Sequence, residues 1–153
     1  MEDRSDVRDS RWQTFLERDL PIGYLMVRAT MGFHMIAHGQ VRMVKLAAFA
    51  AETRKEFEGV TLFGLPLFQE WLVTILAYII PNVEFTVGLL LAVGLKTRPA
   101  TLVANVMFLV MMFGTVAQGN FATAHVQWWY VLIFAFIGAF NYFDKYSLDR
   151  MGR

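Results

Sequence analysis

The sequence predicts an all-α integral membrane protein, a four-helix bundle with both termini in the cytoplasm (N-in/C-in). Three observations predict it. The 153-residue chain is 56% hydrophobic and 15% aromatic, with 14 Phe, more apolar surface than one small aqueous core can hide. Four apolar runs are long enough to cross the ~30 Å hydrocarbon layer as helices. Lys and Arg are divided unequally between the segments that would join them.

Each element has its own support. After Pro21, a residue suited to the first turn of a helix, the first run covers about 22–42. The second covers about 71–95 and contains Pro81, which should kink the helix and free a carbonyl just before Glu84. Runs three and four, about 100–117 and 126–143, carry no formal charge. Met43 to Glu58 keeps a helical pattern that turns charged in its second half. It reads either as helix one overshooting the bilayer or as an interfacial helix. Gly59 to Pro66 breaks that pattern, Leu95 to Pro99 makes a tight turn, and Gln118 to His125 reads as a short uncharged loop. Residues 1–20 and 144–153 flank the bundle of 21–143. Met1 to Asp19 has no apolar stretch and no small-residue cleavage site, so it is not expected to be a secretory signal.

Orientation follows from the cations. Placed inside, the N-terminal segment, the turn after run two and the C-terminal tail hold Arg4, Arg8, Arg11, Arg18, Lys96, Arg98, Lys145, Arg150 and Arg153. The outer segments hold only Arg42, Lys45, Arg54 and Lys55. The positive-inside rule then puts both termini in the cytoplasm, in the cell's inner membrane. Trp71, Trp128 and Trp129 would mark the outer interface, and Tyr142 and Tyr146 the inner one.

Several functions are excluded or disfavoured. A net charge of +1 provides no basic field for nucleic acid. With no cysteine, the chain has no disulfide, thiolate metal site, iron–sulfur ligation or dithiol relay. His34 and His38 stand four apart, as a shared metal or haem ligand pair would, but no third ligand is evident nearby. No metal, haem or flavin is therefore expected on this chain alone. Gly32, Gly39, Gly88, Gly94, Gly114 and Gly138 suit close helix approach better than a nucleotide loop.

Two charges remain deep in the membrane, Arg28 and Glu84, and a lone ion there costs several kcal/mol. Counted at ~1.5 Å per residue, each lies about 10 Å from the inner side. Antiparallel neighbours would put them level, so an Arg28–Glu84 ion pair is expected, either fixing helix register or forming a proton or ligand site. A second polar group lies near the outer face. His38, Arg42 and Lys45 share one stripe of helix one, and Gln118, Asn120, His125 and Gln127 reach the same level beside Trp128 and Trp129. A quinone head group needs a donor for each carbonyl, a titratable group to pass protons and an apolar slot for its tail. Histidine suits the proton role. The plainer reading is that these residues only touch water and lipid head groups.

The string from Arg28 through Gly32 to the His38-Gly39 pair resembles the first-helix signature of the DoxX/DoxD membrane proteins. Pro81-Asn-Val-Glu84, followed by the glycine-rich run to Gly94-Leu-Lys-Thr97-Arg98, is similar to the family's second signature. Tyr146-Ser-Leu-Asp149 is similar to its C-terminal tail. The family's usual Lys after His-Gly falls at Arg42 or Lys45. The resemblance spans about residues 21–150. It implies a four-helix membrane bundle, linked in some members to thiosulfate:quinone oxidoreduction (the DoxD type) and in others to oxidoreductase complexes. It also implies that Arg28, His38 and Glu84 belong to the polar site.

Together these readings suggest a membrane subunit of a redox complex that binds quinone near the outer face and takes electrons from a partner. His38, Arg42, Gln118 and His125 are the candidate site. The alternative is a non-catalytic accessory subunit of a larger respiratory or photosynthetic electron-transport complex. A transporter is weaker, since Pro81 is the only sign of a broken helix.

Overall fold

A computed structural model describes residues 12–62, 65–66 and 68–151. A π-helical turn, Phe15–Asp19, runs directly into α1, Leu20–Val44. Lys45 breaks the helix (φ −113°, ψ 33°) and α2, Leu46–Phe57, follows. The stretch between Met43 and Glu58 is thus a separate helix rather than a simple extension of the first. A two-residue antiparallel ladder, β1 (Thr61–Leu62) with β2 (Leu65–Pro66), leads to α3, Glu70–Val93. Then come α4, Thr97–Ala117, α5, Phe121–Ala139, a 3-10 turn at Asn141–Phe143 and the short α6, Leu148–Met151.

Three helices, α3, α4 and α5, are long and apolar enough to cross a membrane. Their outward residues are those a lipid would solvate, among them Leu102, Val106, Phe113 and Trp129. The 25-residue α1 matches them in length (about 37 Å at 1.5 Å per residue) but carries Arg28, His34, His38 and Arg42. Lys145 Nζ donates to the Glu17 carbonyl at 2.8 Å, so the N-terminal turn and the C-terminal segment share one end of the molecule, here the terminal end. The distal end carries α2, the small ladder and the turn at 118–120.

α5 begins five residues before the hydropathy run does, because the Asn120 side chain accepts from the Thr123 N–H at 3.1 Å and caps it. Ser, Asp and Asn at this position satisfy N–H groups that the helix itself cannot. The expected loop of 118–125 is therefore only a three-residue turn, and His125 lies in the helix.

The most extensive packing is α1 against α3, followed by α4 against α5. Glycines explain the first. A Cβ on Gly39 would lie 2.6 Å from Phe85 N and 2.8 Å from Pro81 O, and one on Gly88 would lie 2.6 Å from Ile36 N. Only a missing side chain lets backbones approach this closely. The apolar core, including Tyr24, Met35, Leu91, Ala104, Phe108, Phe134 and Ile137, fills the space between the pairs.

This seam overturns the expected Arg28–Glu84 pair. Gly39 faces Pro81 and Phe85, Ile36 faces Gly88, and Gly32 faces Ala92, so Arg28 falls level with Leu91 to Gly94. Glu84 is 7–10 residues away along α3, about 10–15 Å at the rise of a helix. The depth count erred because the 24 residues of α3 span about 36 Å, more than the ~30 Å slab it was measured against. Arg28 pairs instead with Asp144, Nε to Oδ1 at 3.4 Å, and Glu84 pairs with Arg42.

Candidate functional site

The i, i+4, i+8 spacing places His34, His38 and Arg42 on one stripe of α1. That stripe borders a cavity of about 150 Å³ in the distal half of the molecule. Glu84 enters from α3, Met111 from α4, and Thr123, Gln127 and Tyr130 from α5.

The centre of the site is the Arg42–Glu84 pair. Arg42 Nη1 donates to Glu84 Oε1. The carboxylate is 2% exposed while the arginine side chain is 25% exposed. The second oxygen, Oε2, is buried and has no partner among the described residues. A buried acceptor left unpaired is costly, and Glu84 lines the cavity. The Arg42 guanidinium also lies 5.2 Å from the centre of the Phe49 ring, within cation–π range. One side chain thus ties α1 to α3 and to the covering helix α2.

Around this pair stand three groups able to give or take a proton. The His34 and His38 rings are 4.4 Å apart. The Tyr130 hydroxyl lies 2.8 Å from His34 Nε2, and the tautomer of His34 decides which of the two donates. Tyr130 is fixed from behind by stacking on Phe108 at 4.9 Å. Gln127 is oriented by the Thr115 hydroxyl, 2.8 Å from its Oε1.

Adjoining the polar cavity, under α2, is a second one of about 190 Å³ with mainly apolar walls, among them Phe49, Phe57, Leu76, Ile80 and Val110. Gln118 lines this space, and its Nε2 is buried without a partner among the described residues.

Of the four residues expected from the sequence, the structure brings His38 and Arg42 to the polar cavity and Gln118 to the neighbouring one. His125 is not brought in. It is exposed on the outside of α5, edge-on to Trp129 at 6.4 Å. The buried face of that helix runs through Ala124, Gln127, Phe134 and Ile137, and residue 125 points about 100° away from Ala124. Glu84 reaches the site through Arg42 rather than Arg28. His34, expected only as half of a metal pair, joins the site as well, and its spacing to His38 and Arg42 is the sequence signal for it. Tyr130, three residues past Gln127 on the same helical face, is a site residue that only this spacing marks in the sequence. Among the described residues, no three His, Asp or Glu side chains group as a metal site would require.

Arg28 belongs to a different structure, a clasp at the terminal end. It is 1% exposed. Nη1 donates to the Leu91 carbonyl and Nη2 to the Tyr146 carbonyl, the latter at 2.9 Å. Gly94 ends α3 with φ +70°, and a Cβ there would lie 2.5 Å from Arg28 Nη1 and 2.6 Å from Ser147 Cβ. The Asp149 carboxylate accepts from the N–H groups of Lys96 and Thr97 at 2.9 and 3.1 Å, serving the start of α4 from a distance of 52 residues. The Asp149 N–H donates to Gly94 O at 3.1 Å. Burial pushes the Asp144 carboxyl above its ordinary value, and Arg28, Thr97 and Ser147 pull it part of the way back. Together these bonds hold the tail on the bundle.

The distal arrangement offers cationic and neutral donors beside one free carboxylate oxygen, with an apolar space adjacent. It can bind a small dipolar ring by its oxygens and move a proton at either edge. The DoxX family model matches residues 23–126 of the chain. That region includes His34, His38, Arg42, Glu84 and Gln118 and ends just before Gln127 and Tyr130. No curated protein and no solved structure matches the chain.

Proposed function

Because this chain belongs to the DoxX family of membrane proteins, we propose that its distal polar cavity binds the head group of a quinone, within a membrane redox complex whose partner subunit supplies the electrons. The observation that carries the reading is Glu84. Its carboxylate is buried and held by Arg42 on one oxygen, the other oxygen has no partner among the described residues, and the residue lines a cavity edged by two histidines and a tyrosine. The Arg28–Asp144 pair also has buried atoms without hydrogen-bond partners, and what sets Glu84 apart is a cavity walled by side chains able to exchange protons.

The residues fit such a ligand. Arg42 and a histidine N–H suit one carbonyl oxygen, Gln118 Nε2 can donate to a polar ring substituent, and the apolar cavity can take the start of a tail. A bound quinone would supply two-electron chemistry coupled to proton uptake. For its part, the chain holds the ring and delivers protons through His38, His34 and the Tyr130 hydroxyl. With no cysteine in the sequence, electron delivery falls to a partner. In this reading α1 is a fourth span, both termini face the cytoplasm and the cavity lies toward the outer face of the inner membrane. Thiosulfate-linked chemistry of the DoxD type would lie in that partner.

Purification in mild detergent, followed by organic extraction, tests the proposal. The wild type should retain quinone, and His38→Ala, still folded, should lose it. Equal retention in both, or none in the wild type, would defeat it. A complex whose turnover is unchanged by His38→Ala would mark the chain as a bracing subunit.

A further inference from the structure

The polar cavity and two apolar spaces lie side by side and share walls. Arg42, Met111, Thr123 and Gln127 border both the polar cavity and the apolar one under α2. Leu76, Ile80 and Val110 border both that apolar cavity and a groove of about 390 Å³ between α3 and α4. The groove is aliphatic throughout and continues past Val83, Val103 and Val106. From α4 it is lined by Val103, Val106 and Val110 together with Leu102 and Met107. The opposite seam, α1 against α5, is closed by hydrogen bonds at two heights, Tyr24 to the Ile137 carbonyl at 2.9 Å and Tyr130 to His34 at 2.8 Å.

Resting on the quinone reading, we infer that the α3–α4 groove carries the prenyl tail of the bound quinone. The ligand then reaches Arg42 sideways from the bilayer, and the site takes membrane-borne prenylquinones. Transfer of a tail from lipid to this groove gains little from the hydrophobic effect, since acyl chains are as apolar as valine. The groove therefore works by shape. It gives the tail a way out of the bundle while the ring stays among polar groups. From Leu76 to Val83 it runs seven residues of α3, about 10 Å, so only the first part of a tail is enclosed and the rest lies free in lipid.

The test uses two probes in nanodiscs, a decaprenyl benzoquinone and the same ring with no tail. Val106→Trp should weaken the tailed probe at least about tenfold, as overpacking of a filled site does, and leave the tail-less probe unchanged. Loss of neither, or of both alike, overturns the inference. Should that variant fail to fold, a diazirine placed on the first prenyl unit reads the wild type directly. Adducts within residues 76–83 and 102–110 support the groove, and adducts along α1 or α5 overturn it. A tightly held phospholipid, or a dimer that Val106→Trp dissociates, would assign the groove to another occupant and also overturn it. If the wild type binds the tail-less ring but the tail label falls elsewhere, only the route is wrong. If it binds neither probe, the quinone reading itself falls.

Discussion

Arg28→Ala is the sharpest perturbation of the fold. The side chain is 1% exposed, so its guanidinium cannot be replaced by bulk water without a rearrangement. Its removal strands the Tyr146 carbonyl, takes one of two donors from the Leu91 carbonyl, which keeps the Gly94 N–H at 3.2 Å, and leaves the Asp144 carboxylate, itself 2% exposed, without its cation. Hydrogen bonds from a charged donor are worth about 1.5–3 kcal/mol each, and breaking a buried ion pair from one side costs about 3–5 kcal/mol. These overlap because they share one group, so the sum is not additive, and about 3–5 kcal/mol is expected in all. At about 2–4 °C per kcal/mol for a chain of this size, the melting temperature should fall by about 6–20 °C. The tail should loosen as well, because the Tyr146 carbonyl is one of its anchors. A spin label at Leu148 would report that as increased mobility. Arg28→Ala/Asp144→Asn should recover part of the loss, since no lone carboxylate then remains. A fall of less than about 1 kcal/mol, within the range of ordinary surface substitutions, or a double variant no better than the single one, would refute the clasp.

The other expectations concern pH, the glycine seam and the α5 cap. The Asp144 carboxyl is raised above its ordinary 3.8 chiefly by burial. A group raised on folding adds stability below its unfolded value and loses it as pH climbs through the raised one. The wild-type melting temperature should therefore decline as pH rises from 3.8 through that value, and Asp144→Asn should lack the decline. Gly39→Ala puts a Cβ 2.6 Å from Phe85 N and should cost about 1–3 kcal/mol by forcing α1 from α3. Gly23→Ala, with nothing within 4 Å, should be no worse than the wild type in the same melt. Asn120→Ala removes the cap of α5 and should cost about 1 kcal/mol, read by thermal unfolding in detergent.

The apolar helices were legible because lipid asks for an unbroken run of about 20 apolar residues, and 71–95 and 100–117 lie close to α3 and α4. Polar partnerships were less legible because they depend on register. The pair predicted for Arg28 followed from distances to the bilayer edges, whereas contacts at Gly32, Gly39 and Gly88 slide α1 along α3 and bring Asp144 and Arg42 into play. Asp144 had been assigned to the tail, and nothing local in the sequence announces that the tail folds back under α3. His125 was misplaced for a different reason. A charge-free stretch rich in Gly, Asn and Thr reads as loop, while one Asn120 side chain starts the helix early and turns residue 125 outward. The stripe of His38 and Arg42 survived because i, i+4 spacing is a property of the helix alone.

The central claim is that a quinone ring sits beside Arg42 and Glu84. Photolabelling purified wild-type protein with a quinone carrying an azide on its head group, and mapping the adducts, tests it directly. Adducts within residues 34–42 and 123–130, suppressed by excess unlabelled quinone, are the predicted result. Adducts scattered over lipid-facing positions such as Phe33, Leu102 and Trp129 and indifferent to competitor would contradict it.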